Sequence, residues 1–224
     1  MKYVITGTSS GLGFALAMRL VNYGHVIGVS RSIGMSKVLL SETNFSYIEH
    51  DLSVVSCSES CNELVDKLKR ALGDDVFTIV FNAASFHSGQ NRLNVHELAR
   101  IFDINLFSAM NLLRDLQLKG LRRILFVNSV SGIIGQDLQH EYVASKHALM
   151  GYARSISKSA KHSNYDVMSI NPGGMKTALW KNHRDIDCSD FLEPQVVADV
   201  CIALLTIPQR TFIDNMVILP PCDV

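Results

Sequence analysis

Neither sign of charge prevails in this 224-residue chain: 21 Lys and Arg stand against 21 Asp and Glu, a net charge of zero. Binding to a phosphate backbone needs a basic field, so this balance argues against a nucleic-acid partner. Long apolar runs are missing too. A membrane-spanning helix takes roughly 20 apolar residues. The longest uncharged apolar stretch, Val76 to Ala84, is broken by Thr78 and Asn82, so no membrane partner is expected. Only Tyr3 to Ile5 precede the Thr6-Gly7 turn, too little for the apolar part of an export signal, and a cytoplasmic setting is expected. Cysteine is sparse and odd in number: Cys57, Cys61, Cys188, Cys201 and Cys222 make no disulfide framework and suit a reducing compartment. Cys57 and Cys61 stand four apart, but no second Cys or His pair completes a tetrahedral site, and no metal is expected. Charged residues are few as well, at 19% against 47% hydrophobic, which excludes a disordered chain and fits one domain over residues 1–224.

What is present alternates. Short β-rich runs at Lys2 to Thr6, His25 to Ser30, Phe45 to Ile48, Val76 to Phe81, Arg123 to Val127, Val167 to Ile170 and Met216 to Leu219 predict seven strands. Helical spacing falls between them, at Phe14 to Tyr23, Ser58 to Leu72, Tyr142 to Ser159 and Pro194 to Leu205. A long helix from Asn94 to Leu116 opens with Asn94 three residues before Glu97, a capping-box pattern. Strands alternating with helices predict an α/β fold: a Rossmann-type, doubly wound, seven-stranded parallel sheet with helices on both faces. The segment from Ala178 to Asp190 is polar and irregular, and is expected to be the most mobile loop.

Three groups of residues carry chemistry. Thr6-Gly7-Thr8-Ser9-Ser10-Gly11-Leu12-Gly13 lies after the first strand and before the first helix. There glycines let the backbone approach a pyrophosphate, and the helix start favours an anion. Tyr142 and Lys146 are four apart, so on a helix they share one face, where an ammonium would favour the phenolate. Ser129 ends the fifth strand, at the sheet edge where doubly wound folds present ligands. His87 and His140 stand beside these motifs and are read either as surface residues or as lining a substrate cleft.

In these residues the chain resembles the short-chain dehydrogenase/reductase family over nearly its whole length. Thr6 to Gly13 matches the family's Thr-Gly-x-x-x-Gly-x-Gly, Ser129 and Tyr142-x-x-x-Lys146 its Ser and Tyr-x-x-x-Lys, Asn105 its helix asparagine, and Pro172 through Thr177 its Pro-Gly-x-x-x-Thr. The resemblance implies a hydride transfer between a nicotinamide cofactor and a small carbonyl or secondary alcohol, with no metal. Tyr142 would be the acid/base, Lys146 would lower its pKa and hold the nicotinamide ribose, Ser129 would polarise the carbonyl, and Asn105 would position a water leading to solvent. The cofactor would lie on Gly7, Ser9, Ser10, Gly11, Leu12, Gly13, Asp51, Leu52, Asn82, Ala83, Ala84, Tyr142, Lys146, Pro172, Gly173, Met175 and Thr177. Where the family has Asn-Asn-Ala-Gly, this chain reads Phe81-Asn82-Ala83-Ala84. Leu179 and Trp180 fall at the family's substrate lid, to cover substrate or to anchor the loop.

The second strand ends in Ser30-Arg31 with no acid, a place where a carboxylate would select NAD and an arginine a 2′-phosphate; NADP(H) is the expected cofactor, NAD(H) the alternative. A homodimer or homotetramer is implied, pairing through the helices at 94–116 and 142–159. A non-catalytic NADP-binding regulator is the rival reading, opposed by the intact set of Asn105, Ser129, Tyr142 and Lys146. A nucleotide-sugar-modifying enzyme of the extended family is a second rival, opposed by the short stretch after Thr177.

Overall fold

A computed structural model describes residues 1–54, 58–89, 92–116, 119–180, 187–211 and 213–223. Seven strands, β1 (Lys2–Thr6), β2 (His25–Ser30), β3 (Phe45–Glu49), β4 (Phe77–Phe81), β5 (Leu121–Val127), β6 (Asp166–Pro172) and β7 (Met216–Ile218), form one parallel sheet in the order β3-β2-β1-β4-β5-β6-β7. A parallel sheet covered on both faces needs strands that are apolar throughout, and β4, Phe-Thr-Ile-Val-Phe, is buried at every position.

The helices supply the two covers. On one face lie α1 (Gly11–Leu20) and α6 (Pro194–Thr206), joined by the Arg19–Asp199 ion pair and burying Leu12, Leu16, Val197 and Cys201 against Ile5 and Val80. On the other lie α2 (Ser58–Leu72), α3 (Val95–Phe102), α4 (Ser108–Asp115) and α5 (His140–Ala160). In α2 the buried Cys61, Leu64, Val65, Leu68 and Leu72 keep the three-and-four spacing of an amphipathic helix. Cys61 donates to Asp115 (3.7 Å), whereas Cys57 lies outside the described residues. Strand order reverses between β1 and β4, and the crevice above their carboxyl ends is where such sheets hold ligands.

The helix expected from Asn94 to Leu116 is a corrected reading. Its capping box forms as expected, with His96 and Glu97 amides donating to Asn94 Oδ1 and Asn94 N donating to Glu97. Between α3 and α4, however, Asp103–Phe107 winds as a π turn. The wider turn inserts one residue into the helical register, a device often found at functional sites, and Asn105 lies within it, 3% exposed. Sequence spacing alone cannot register such an insertion, because apolar periodicity continues on either side.

The edge of the sheet away from the crevice is fastened by one buried ion pair. Arg123 on β5 donates to Asp166 on β6 (2.9 Å) and to the Leu204 and Leu205 carbonyls (2.9 and 2.8 Å) at the end of α6. Arg210 N donates to the same carboxylate (3.0 Å). The guanidinium thus completes carbonyls that a helix end leaves unpaired. Arg123→Met should cost roughly 3–5 kcal/mol, the scale for breaking a buried pair from one side. Urea denaturation checks this; a loss below about 1 kcal/mol, the scale of a surface pair, would show that the clamp carries no stability.

Candidate active site

The crevice is built first from backbone. Gly7 (φ 78°) and Gly11 (φ 55°) adopt the left-handed conformation that side chains disfavour. A Cβ on Gly13 would stand 2.1 Å from the Gly7 carbonyl oxygen, so the first turn of α1 fits over the loop only without a side chain there. Thr6 Oγ1 accepts from the amides of Asn82 and Ala83 (3.0 and 3.1 Å), and Asn82 Nδ2 donates to the Thr6 and Gly7 carbonyls (2.9 and 3.2 Å). Ala84, in the family's glycine position, has no left-handed backbone, so its methyl is accommodated without strain. Beside this turn opens a cavity of about 330 Å³, lined by every residue expected to hold the cofactor except Pro172 and Gly173. Those two line a second cavity of about 220 Å³. Tyr142, Met175 and Thr177 line both.

The first cavity suits a dinucleotide. The ten-residue helix α1 starts at its wall with no acidic residue in its first turn and no side-chain cap on its leading amides, which leaves donors and the positive dipole end for an anion. At the far end, Ser30 Oγ donates to the Ser32 carbonyl (2.9 Å) and the neighbouring Arg31 is exposed. Asp51 accepts from Ser53 N and Oγ (2.9 and 2.8 Å). Burial pushes its carboxyl up, but those bonds with the Arg100 and Arg31 charges bring the net shift below the usual range.

Where the cavities meet, α5 presents Tyr142 and Lys146 from adjacent turns, as their spacing requires. Lys146 Nζ lies 5.7 Å from the centre of the Tyr142 ring and donates to the Val127 carbonyl (3.3 Å). Ser129 lies close enough to the Tyr142 phenol to lower its pKa, and its Oγ accepts from Ser131 N (3.1 Å). The expected depression of the phenol pKa is corrected here. Burial pushes Tyr142 up to about 12, with Ser129 alone lowering it, and the same burial pulls Lys146 down to about 8. Both side chains are over 90% sequestered, and in the ligand-free site desolvation outweighs their mutual attraction.

Asn105 is held by the chain around it. Its amide is bonded both ways to the Ser85 backbone (2.7 and 2.9 Å) and donates to Ser145 Oγ (2.9 Å), clamping the segment after β4 to α5. His87 and His140 line neither cavity; Phe86 lines the second instead. Sequence reading also missed His50, Phe191 and Asn128. Asn128, 5% exposed, lies in the wall common to both cavities with neither amide atom hydrogen-bonded among the described residues. One asparagine before Ser129 forms no pattern, so no sequence signal marks it. Of the loop at 178–190, Ala178–Trp180 forms a 3-10 turn and residues 181–186 lie outside the described ones. Trp180 packs edge-on against Phe86 and Phe191 (4.8 and 5.2 Å), which anchors the loop's beginning. Among the described residues no three metal-ligating side chains gather, and no helix is long and apolar enough to cross a membrane.

A sheet wound in this order, with a glycine turn at its reversal point and a Ser-Tyr-Lys cluster beside it, defines a Rossmann-type nucleotide-binding fold. The family model for short chain dehydrogenase matches residues 2–187, and the chain belongs to the short-chain dehydrogenase/reductase family of oxidoreductases. It is 28% identical over 185 residues to a 3-oxoacyl-(acyl-carrier-protein) reductase from Mycobacterium bovis, covering 79% of this chain and 70% of that protein. Its fold is shared with 4-hydroxyisoleucine dehydrogenase complexed with NADH (TM-score 0.85, 22% identity, 98% of each chain). It is shared also with the closed form of serine dehydrogenase complexed with NADP+ (TM-score 0.83, 18% identity, 97% of this chain and 94% of that one).

The close approach at Gly13 gives a direct check. Gly13→Ala drives a methyl into the Gly7 carbonyl, so the loop must move, and nicotinamide dinucleotide binding should fall at least tenfold, roughly 1.4 kcal/mol. Calorimetric titration of wild type and variant measures it; equal affinity would mean that the glycine turn does not touch the dinucleotide.

Proposed function

We propose that the protein interconverts a carbonyl and a secondary alcohol with a nicotinamide cofactor, NADP(H) in preference to NAD(H). The observation that carries this reading is the position of Tyr142: a buried phenol beside Ser129, in the wall shared by the cavity at the glycine turn and the smaller one. The cofactor supplies or accepts the hydride when bound. The leading amides of α1 would hold the pyrophosphate, Asp51 and Leu52 would flank the adenine, and Lys146 would hold the nicotinamide ribose. Ser129 and Tyr142 then point hydroxyls at one substrate oxygen. Ser129 stabilises the charge that grows there, and Tyr142 delivers its proton to the same atom. A phenol held near about 12 is fully protonated at neutral pH, so the ligand-free site is set as a proton donor, the state that reduction needs. Asn105 acts as a positioning residue through Ser85 and Ser145, and any water it holds uses what remains of its carbonyl oxygen.

Two further features fit the reading. Leu98, Phe107 and Met110 are exposed on the α3–α4 layer, an apolar surface of the kind that a homodimer or homotetramer covers. No carboxylate stands at the end of β2, where Arg31 faces solvent without a hydrogen bond or ion pair among the described residues.

Tyr142→Phe should lower kcat at least about 10²-fold while cofactor binding survives. Lys146 loses its proton as pH rises through about 8, so kcat/KM for reduction should fall above that pH in wild type. A near-normal kcat in the phenylalanine variant, or a profile flat from pH 6.5 to 9.5, would contradict these roles. Arg31→Ala should weaken NADP by roughly 1.5–3 kcal/mol and leave NAD nearly unchanged, the size of a lost charged hydrogen bond. Ser30→Asp should shift preference toward NAD. Tighter NAD than NADP binding by the wild type would overturn the preference.

A further inference from the structure

The second cavity is built from a restricted set of chemistries. Among the described residues no charged side chain lines it. Its polar side chains are neutral amides and hydroxyls, among them Gln136, Gln139, Asn128 and Ser131 beside Ser129 and Tyr142. Its apolar wall is a relay of rings: Tyr142 against Phe86 (4.8 Å, 83°), Phe86 against Trp180 (4.8 Å, 62°) and Trp180 against Phe191 (5.2 Å, 61°). Each meets the next edge to face, a geometry that aromatic pairs favour. Phe191 is fixed against Gly174, where a Cβ would lie 2.7 Å from its ring, so this wall is seated on the turn after β6.

Size narrows the occupant. At about 220 Å³ the space exceeds the roughly 150 Å³ of an apolar cavity that takes benzene, leaving room for a ring and about three or four further heavy atoms. Charge narrows it again. A carboxylate within two carbons of the reacting carbonyl would enter this cavity, leaving water for a wall whose described residues offer no cation. We propose that the substrate is an uncharged, compact carbonyl compound bearing a ring, and that keto acids with the carboxylate beside the carbonyl are rejected. This rests on the carbonyl-reduction reading of the same site.

The chain's single tryptophan, Trp180, stands in the cavity wall, so its fluorescence reports occupancy without cofactor or turnover. Benzamide and benzoate, alike in shape and different in charge, are titrated into the full chain. Saturable quenching by benzamide with a Kd at least about tenfold below that of benzoate is expected, about 1.4 kcal/mol. Equal or tighter binding of benzoate, or no response to either, overturns the proposal. In Gln136→Arg, a half-buried position given a cation, benzoate should gain at least about tenfold; no gain would place the ring elsewhere and overturn it too. A second arm follows nicotinamide absorbance with methyl benzoylformate and benzoylformate. The neutral ester should be reduced with a kcat/KM at least about a hundredfold above the acid, the scale on which buried polar mismatch discriminates. Faster reduction of the acid would overturn the proposal. Selective benzamide binding with no reduction of any carbonyl would leave the neutral ring site standing and remove the hydride-transfer reading instead.

Discussion

Two side chains, Thr6 and Asn82, hold together the ends of β1 and β4 at the point where strand order reverses, and the site depends on that joint. Thr6 Oγ1 satisfies two backbone amides and Asn82 Nδ2 two backbone carbonyls. Backbone groups left buried without such partners would each cost about 1–3 kcal/mol. The joint fixes the glycine turn over the sheet edge and so aims the start of α1 into the first cavity. It also fixes Ala83 and Ala84 in the same wall. One residue further on, Asn105 grips the Ser85 backbone, and Phe86 follows as the first ring of the second cavity. A dinucleotide channel and an aromatic slot are thereby set by one continuous run of chain, six residues from Phe81 to Phe86.

Energetically the two edges of the sheet differ. Away from the crevice, Arg123 and Asp166 are buried with their hydrogen bonds largely made. At the crevice, Lys146 is buried with one carbonyl contact, Tyr142 is buried beside Ser129, and Asn128 has no amide partner among the described residues. Buried polar groups short of partners destabilise a fold and are retained where a ligand completes them. The shifted proton affinities of Tyr142 and Lys146 follow from that incompleteness, since burial without a full complement of partners favours the neutral form of each.

The fold was legible because parallel strands buried on both faces leave an unambiguous mark: apolar runs such as Phe77–Phe81 separated by helical periodicity. The glycine turn and the Tyr142–Lys146 pair were legible because their chemistry needs fixed spacing along the chain. Phe86, Phe191, His50 and Asn128 were not, because each reaches the site by tertiary placement from a different loop and no interval connects them. The π turn at Asp103–Phe107 escaped for a related reason: it alters hydrogen-bond register without altering residue pattern. The direction of the Tyr142 shift is not legible in the sequence, which shows the neighbouring ammonium but not the depth of burial, and depth decides the sign.

The central claim is that hydride leaves a nicotinamide in the larger cavity for a carbonyl carbon in the smaller one, with Tyr142 between them. Its most direct measurement uses NADPH carrying deuterium on both C4 positions, with a neutral aryl ketone and mass spectrometry of the alcohol formed. The account predicts one deuterium, bound to the carbinol carbon, in product made by the wild-type protein. Product without deuterium, or alcohol formed at the same rate by the Tyr142→Phe variant, would contradict it.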